Sequence, residues 1–116
     1  MVIKIKRIYE EPSEKDGTRI LVDRLWPRGV SKENARVVEW AKEISPELET
    51  IKSFHSKKIS WIEFKKEYFK QLKKKKDLVS KLKNINNLTL VYSAKDEEHN
   101  NAIILKEFLE KNPISF

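Results

Sequence analysis

The spacing of apolar and polar positions changes several times along the chain, and each change marks an element. In "VIKIKRIY" (residues 2–9), Ile3 and Ile5 alternate with lysines, the period of two that defines a strand. "EEPSEKDGTR" then collects Pro12, Ser13, Asp16 and Gly17, which read as a loop or hairpin turn. "RILVDRLW" (19–26) runs through Ile20, Leu21 and Val22 without a polar break, as suits a strand covered on both faces. Pro27 and Gly29 end it. "LTLVYSA" (88–94) is a second continuous run of this kind.

Helical spacing fills most of the remainder. Ser31 predicts a cap for a helix running to about Ile44, with Val37, Ala41 and Ile44 on one face. "SPEL" (45–48) offers Ser45 as a cap, Pro46 at the first helical position and an acid behind it. Leu48, Ile51 and Phe54 give that helix its apolar stripe. Ser60 and Glu63 form a capping box ahead of Trp61, Phe64, Tyr68 and Leu72. "KKKK" (73–76) closes that helix and leads to another carrying Leu78, Val79, Leu82 and Ile85, and "NINN" (84–87) is a turn. The last helix lies in "KDEEHNNAIILKEFLEKNP", with Ala102, Leu105, Phe108 and Leu109 inward and Pro113 beyond its end. The order β-β-α-α-α-α-β-α predicts an α/β fold: a small, mainly parallel sheet with a helical crossover and helices packed on the sheet. No repeat or linker divides the chain, so one domain over 1–116 is expected.

Composition narrows the function classes. A chain of 116 residues, 39% hydrophobic, can build a core without covalent staples. It has no cysteine, which excludes a disulfide scaffold, a cysteine zinc site and a thiol nucleophile. No apolar run approaches the roughly 20 residues of a bilayer span, and "MVIKIKRIYEE" alternates too regularly for a signal peptide. A cytoplasmic protein without a membrane partner is expected. The net charge of +7 suits weak, non-specific contact with nucleic acid. The distribution of cations is more telling, because all five arginines lie in the first 36 residues and the rest of the chain uses lysine alone. Arginine in such a background points to a need for its planar fork.

The chemistry concentrates where the two apolar strands end. If those strands are parallel, their C-terminal ends share the sheet edge at which open α/β folds bind ligands. One strand delivers Asp23, Arg24, Trp26 and Arg28 there, and the other delivers Ser93, Lys95, Asp96, His99 and Asn100. Arg24 and Arg28 suit a bidentate clamp on phosphate or carboxylate, or an ion pair with a buried Asp23. Trp26 is a pocket wall or a stacking platform. Asp96 caps the last helix, with Glu97 and Glu98 behind it, and His99 falls in the first turn. His99 is then the candidate general base or acid, oriented by Asp96 or Asp23. The expectation is one cleft shared by Arg24, Arg28, Asp96 and His99, with Trp26, Ser93, Lys95 and Asn100 as further ligand contacts. His55 reads as a surface or capping residue. Two distant histidines and no cysteine predict no metal site; no Walker or GxGxxG pattern announces a nucleotide cofactor, none is expected, and no GxSxG marks a serine nucleophile.

The segments "RILVDRLWPRGVSKE", "WAKEISPELE", "WIEFKKEY" and "LTLVYSAKDEEHNNAIILKEFL" resemble the YeaO-like branch of the domain of unknown function 488 family. The resemblance covers nearly the whole chain. It implies a compact α/β domain and supplies no established activity. Broader family members often carry a cysteine-rich form of the final motif. This chain has Ser93 and Asn100 there, so thiol chemistry would not transfer. Three functions follow as expectations. The first is an enzyme or binding protein for an anionic, phosphorylated or nucleotide-like small molecule. The second is a nucleic-acid-binding or regulatory protein using the Lys-rich surface. The third is a protein-interaction module.

Overall fold

The computed structural model describes residues 2–111. Its centre is a four-stranded sheet of order β1-β4-β2-β3, formed by β1 (Val2–Arg7), β2 (Thr18–Leu21), β3 (Glu39–Trp40) and β4 (Asn87–Tyr92). Every pairing is parallel. β4 lies between the two N-terminal strands, with Ile5 opposite Leu90 on one side and Ile20 opposite Leu90 on the other. The Leu21 and Leu90 strands are therefore adjacent and parallel, as their apolar runs predict. β1 and β2 do not pair, so the segment between them is not a hairpin turn. It is a crossover containing a single 3-10 turn (Glu14–Asp16), capped by Ser13.

One face of the sheet meets the helices. Ile3, Ile20, Val22, Leu88, Leu90 and Tyr92 pack there against α3 (Trp61–Lys73), α4 (Lys76–Lys83) and α5 (Asn101–Lys111) through Phe64, Tyr68, Leu72, Leu82, Leu105 and Phe108. The opposite face is partly polar. Leu21 and Val91 share a small cluster with Ile8 and Ala35, edged by Trp26, Val30 and Val37. Beside it Asp16 accepts bonds from Arg19 at 2.8 Å and Lys6 at 3.1 Å, and Thr89 donates to its backbone carbonyl at 2.6 Å. The Arg19 fork also holds the Ala35 carbonyl. The crossover loop thus closes this face with one buried charge hub in place of a helix.

The segment after Ser31 departs from expectation. Ser31 caps a helix, α1, but it spans only Lys32–Ala35. Arg36 then turns left-handed at φ 50°, and the chain straightens into β3. Val37 packs on one side of the sheet, and Ala41 and Ile44 on the other, so their helix-like spacing is coincidental. α2 (Leu48–His55) starts later than "SPEL" suggests: Glu47 is its cap residue, and the Ser45 hydroxyl donates to the Lys42 carbonyl. α3 has the expected Ser60–Glu63 capping box. Pro113 lies outside the described residues.

Candidate functional site

Strand register builds the site. β2 ends at Leu21 opposite Val91 of β4, which carries Asp23 and Ser93 to neighbouring positions just past the two strand ends. The Asp23 carboxylate accepts the Ser93 N–H at 2.9 Å and the Ser93 hydroxyl at 2.6 Å. Asn101, at the start of α5, donates to the Val22 carbonyl at 2.9 Å. These bonds clasp both strand ends to the last helix. Burial pushes the Asp23 carboxyl above its ordinary value, and the bonds from Ser93 and Asn101 offset only part of this. An Asp23–arginine ion pair, one of the expectations, does not form: its partner is Ser93.

Arg24 is turned to a different task. Its Nη2 donates to the Ser45 and Pro46 carbonyls at 3.2 and 3.0 Å, and its Nε to Pro46 at 3.3 Å. Lys75 donates to the Glu43 and Ser45 carbonyls, and the buried Tyr68 hydroxyl to that of Ile44 at 2.7 Å. Three side chains from separate parts of the chain therefore fix the carbonyls of residues 43–46, and with them the entry to α2. Burial, reinforced by Asp23 and opposed by Arg24, pushes the Tyr68 hydroxyl upward, so it remains a neutral donor.

Positioned in this way, α2 forms one wall of a cleft of about 220 Å³ at the C-terminal edge of the sheet. Leu48, Ile51, Phe54 and Phe64 give apolar surface, with Phe54 and Phe64 stacked at 4.6 Å. Asp23, Arg24, Ser93, His55, His99 and Asn100 supply the polar part. His99 is set edge-on to Trp61 at 4.9 Å, and its Nδ1 lies 3.2 Å from the Asp96 carboxylate. The Asp96 carboxylate also accepts the Glu98 and His99 N–H groups. The expected capping is shifted: Asn100, through the Ile103 N–H, caps α5, while Asp96 and His99 belong to the preceding turn.

The expected single cleft is divided in two. Arg24, Ser93, His99 and Asn100 line the cleft. Trp26, Arg28 and Lys95 line an adjoining, more open hollow of about 420 Å³ with Arg7 and Tyr9. Leu25 and Ser93 border both. Arg28 does not face His99, because the turn after Pro27 carries it to the other side of Leu25. Asp96 lines neither space and acts by holding His99. The Trp26 indole donates to the Val30 carbonyl at 2.7 Å and packs edge-on against Trp40, so it is a wall. Sequence reasoning missed His55, the α2 stripe, Leu25, Phe64 and Asn101 in the cleft, and Arg7 and Tyr9 in the hollow. Among the described residues no group of three or more histidines or acids could hold a metal ion.

This whole arrangement falls within a match to the family described as "Inactive DUF488-N3 subclade", which covers residues 2–114. The chain belongs to this DUF488 subclade. The DUF488 chain is 40% identical over 112 residues to the uncharacterized protein YeaO of Escherichia coli K12, covering 94% of this chain and 97% of that one. It is 36% identical over 70 residues to the uncharacterized protein Rv3073c of Mycobacterium tuberculosis H37Rv, covering 60% and 59%. No solved structure matches it.

Proposed function

We propose that this DUF488 protein is a non-catalytic binding protein for a small anionic molecule at the C-terminal edge of its sheet. The observation that carries this reading is an apolar cleft beside cations that lack carboxylate partners. Ligand sites combine apolar walls with a few convergent polar groups, and here Phe54, Ile51 and Leu48 face Arg24, Ser93 and His99. Among the described residues, Arg24 bonds only to neutral carbonyls. The volume is below the roughly 300 Å³ typical of drug-sized ligands, which favours a body of one ring system. Two points favour binding over catalysis. The Ser93 hydroxyl donates to the Asp23 carboxylate, and no imidazole is bonded to it to accept its proton. The subclade is also described as inactive.

Thermal-shift titration with benzoate, 1-naphthoate, 1-naphthyl phosphate and AMP tests the reading. At least one should stabilise the wild type, and Ile51→Phe, which fills the cleft, should weaken it by about tenfold, the factor set by 1.4 kcal/mol. Equal stabilisation of both proteins would move the site elsewhere. Release of phosphate from the esters, lost in His99→Ala, would replace the binder with an enzyme.

A further inference from the structure

We propose that the hollow beside the cleft is a phosphate subsite, so that the ligand is a small phosphate monoester with its ring in the cleft. This rests on the cleft reading above and adds where the charge is held. Arg7, Arg28 and Lys95 converge on the hollow, and no carboxylate lines it. The side chains of Arg28 and Lys95 make no hydrogen bond or ion pair with any described residue. Arg7 is held by the Ala94 and Ser93 carbonyls, at 2.8 and 3.2 Å, over the Tyr9 ring.

The backbone beneath these cations is fixed. The Tyr9 hydroxyl donates to the Arg28 carbonyl at 2.9 Å, and the Trp26 indole ties the same turn to Val30. Arg24, by contrast, uses Nε and Nη2 on backbone carbonyls, which leaves no open fork for a bidentate anion. Charge recognition therefore shifts from the cleft to the hollow. A phosphate monoester carries roughly −1.5 to −2 at neutral pH, which matches two unpaired cations better than a carboxylate does. Leu25, 68% exposed, borders both spaces. A ring in the cleft can thus place a phosphate across Leu25.

Calorimetric titration at fixed ionic strength compares AMP with adenosine and 1-naphthyl phosphate with 1-naphthol. At least one ester should bind about tenfold tighter than its alcohol, as expected for charge-assisted bonds. The Arg28→Ala/Lys95→Ala double variant should bring that ester to within about twofold of its alcohol. Both side chains are exposed, and circular dichroism checks that the variant folds. An ester advantage that survives the double variant overturns the subsite. So does equal binding of ester and alcohol, which leaves the cleft standing as a ring site that does not select for phosphate. Binding of neither overturns both. A 5′-phosphorylated oligonucleotide that binds more tightly than AMP would assign the hollow to nucleic acid.

Discussion

Asp16 and Asp23 are seven positions apart and respond to pH in opposite ways. Burial raises Asp16, but the Ser13 N–H and the Lys6 and Arg19 cations outweigh it and hold the carboxyl below its ordinary value. Its stabilisation is present above the unfolded-state pKa and is lost as pH falls through the folded one. Asp23 has no cation, and burial dominates. Its contribution is present below the unfolded-state pKa and is lost as pH rises through the raised folded value. Asp23→Asn keeps an acceptor for Ser93 and removes the charge. Urea melts from acid to neutral pH should show that this variant lacks the loss seen in wild type just above the ordinary carboxylate range, and is at least as stable at pH 7. Profiles of identical slope would mean that Asp23 titrates normally. At this scale the sequence identified Asp23, Arg24, Ser93 and His99 as residues of the sheet edge. It did not reveal His55, whose position depends on how α2 is seated by Arg24, Lys75 and Tyr68. Those are tertiary contacts with no local pattern.

Elements with a local signal were legible and those made by tertiary pairing were not. The apolar runs around Leu21 and Leu90 and the Ser60–Glu63 box needed no knowledge of the fold. β3 is two residues long and exists because Leu21 offers it a partner, so "VVEW" read as helix. The end of α2 falls at His55, where the sequence expected a surface or capping residue. Lys58 donates to the Ser53 carbonyl at 2.8 Å and Lys57 to that of Phe54 at 3.0 Å, a Schellman closure with Lys57 at φ 63°. Glycine is the usual residue for that position, and a lysine takes it here. Lys57→Gly should relieve a left-handed cost of about 1–2 kcal/mol. It adds roughly 0.5–1 kcal/mol of chain entropy cost, leaving a net gain between about 0 and 1.5 kcal/mol. A denaturation midpoint that falls instead would show that the lysine side chain has a stabilising contact.

At the scale of the whole molecule, charge is mixed where it could have been uniform. The groove between α2 and α3 sets Glu47, Glu49, Glu63 and Glu67 among Lys66 and Lys70, so the helical face is not a single basic stripe. No helix among the described residues is long and apolar enough to cross a membrane. The order β1-β4-β2-β3 has a different kind of consequence. β1 and β2 do not pair with each other, and both pair with β4, the last strand to be made. Pairs such as Ile3 with Leu88 close loops spanning most of the chain, and contacts so distant in sequence slow folding. A fragment ending at Asn86 should show no cooperative unfolding transition, and one that melts sharply would refute this. On the ribosome, β1 must therefore wait without a strand partner through most of translation, while β2 has only the two-residue β3 beside it. The nascent chain closes its sheet in a single late event, when the segment from Asn87 to Tyr92 clears the exit tunnel and inserts between strands already made.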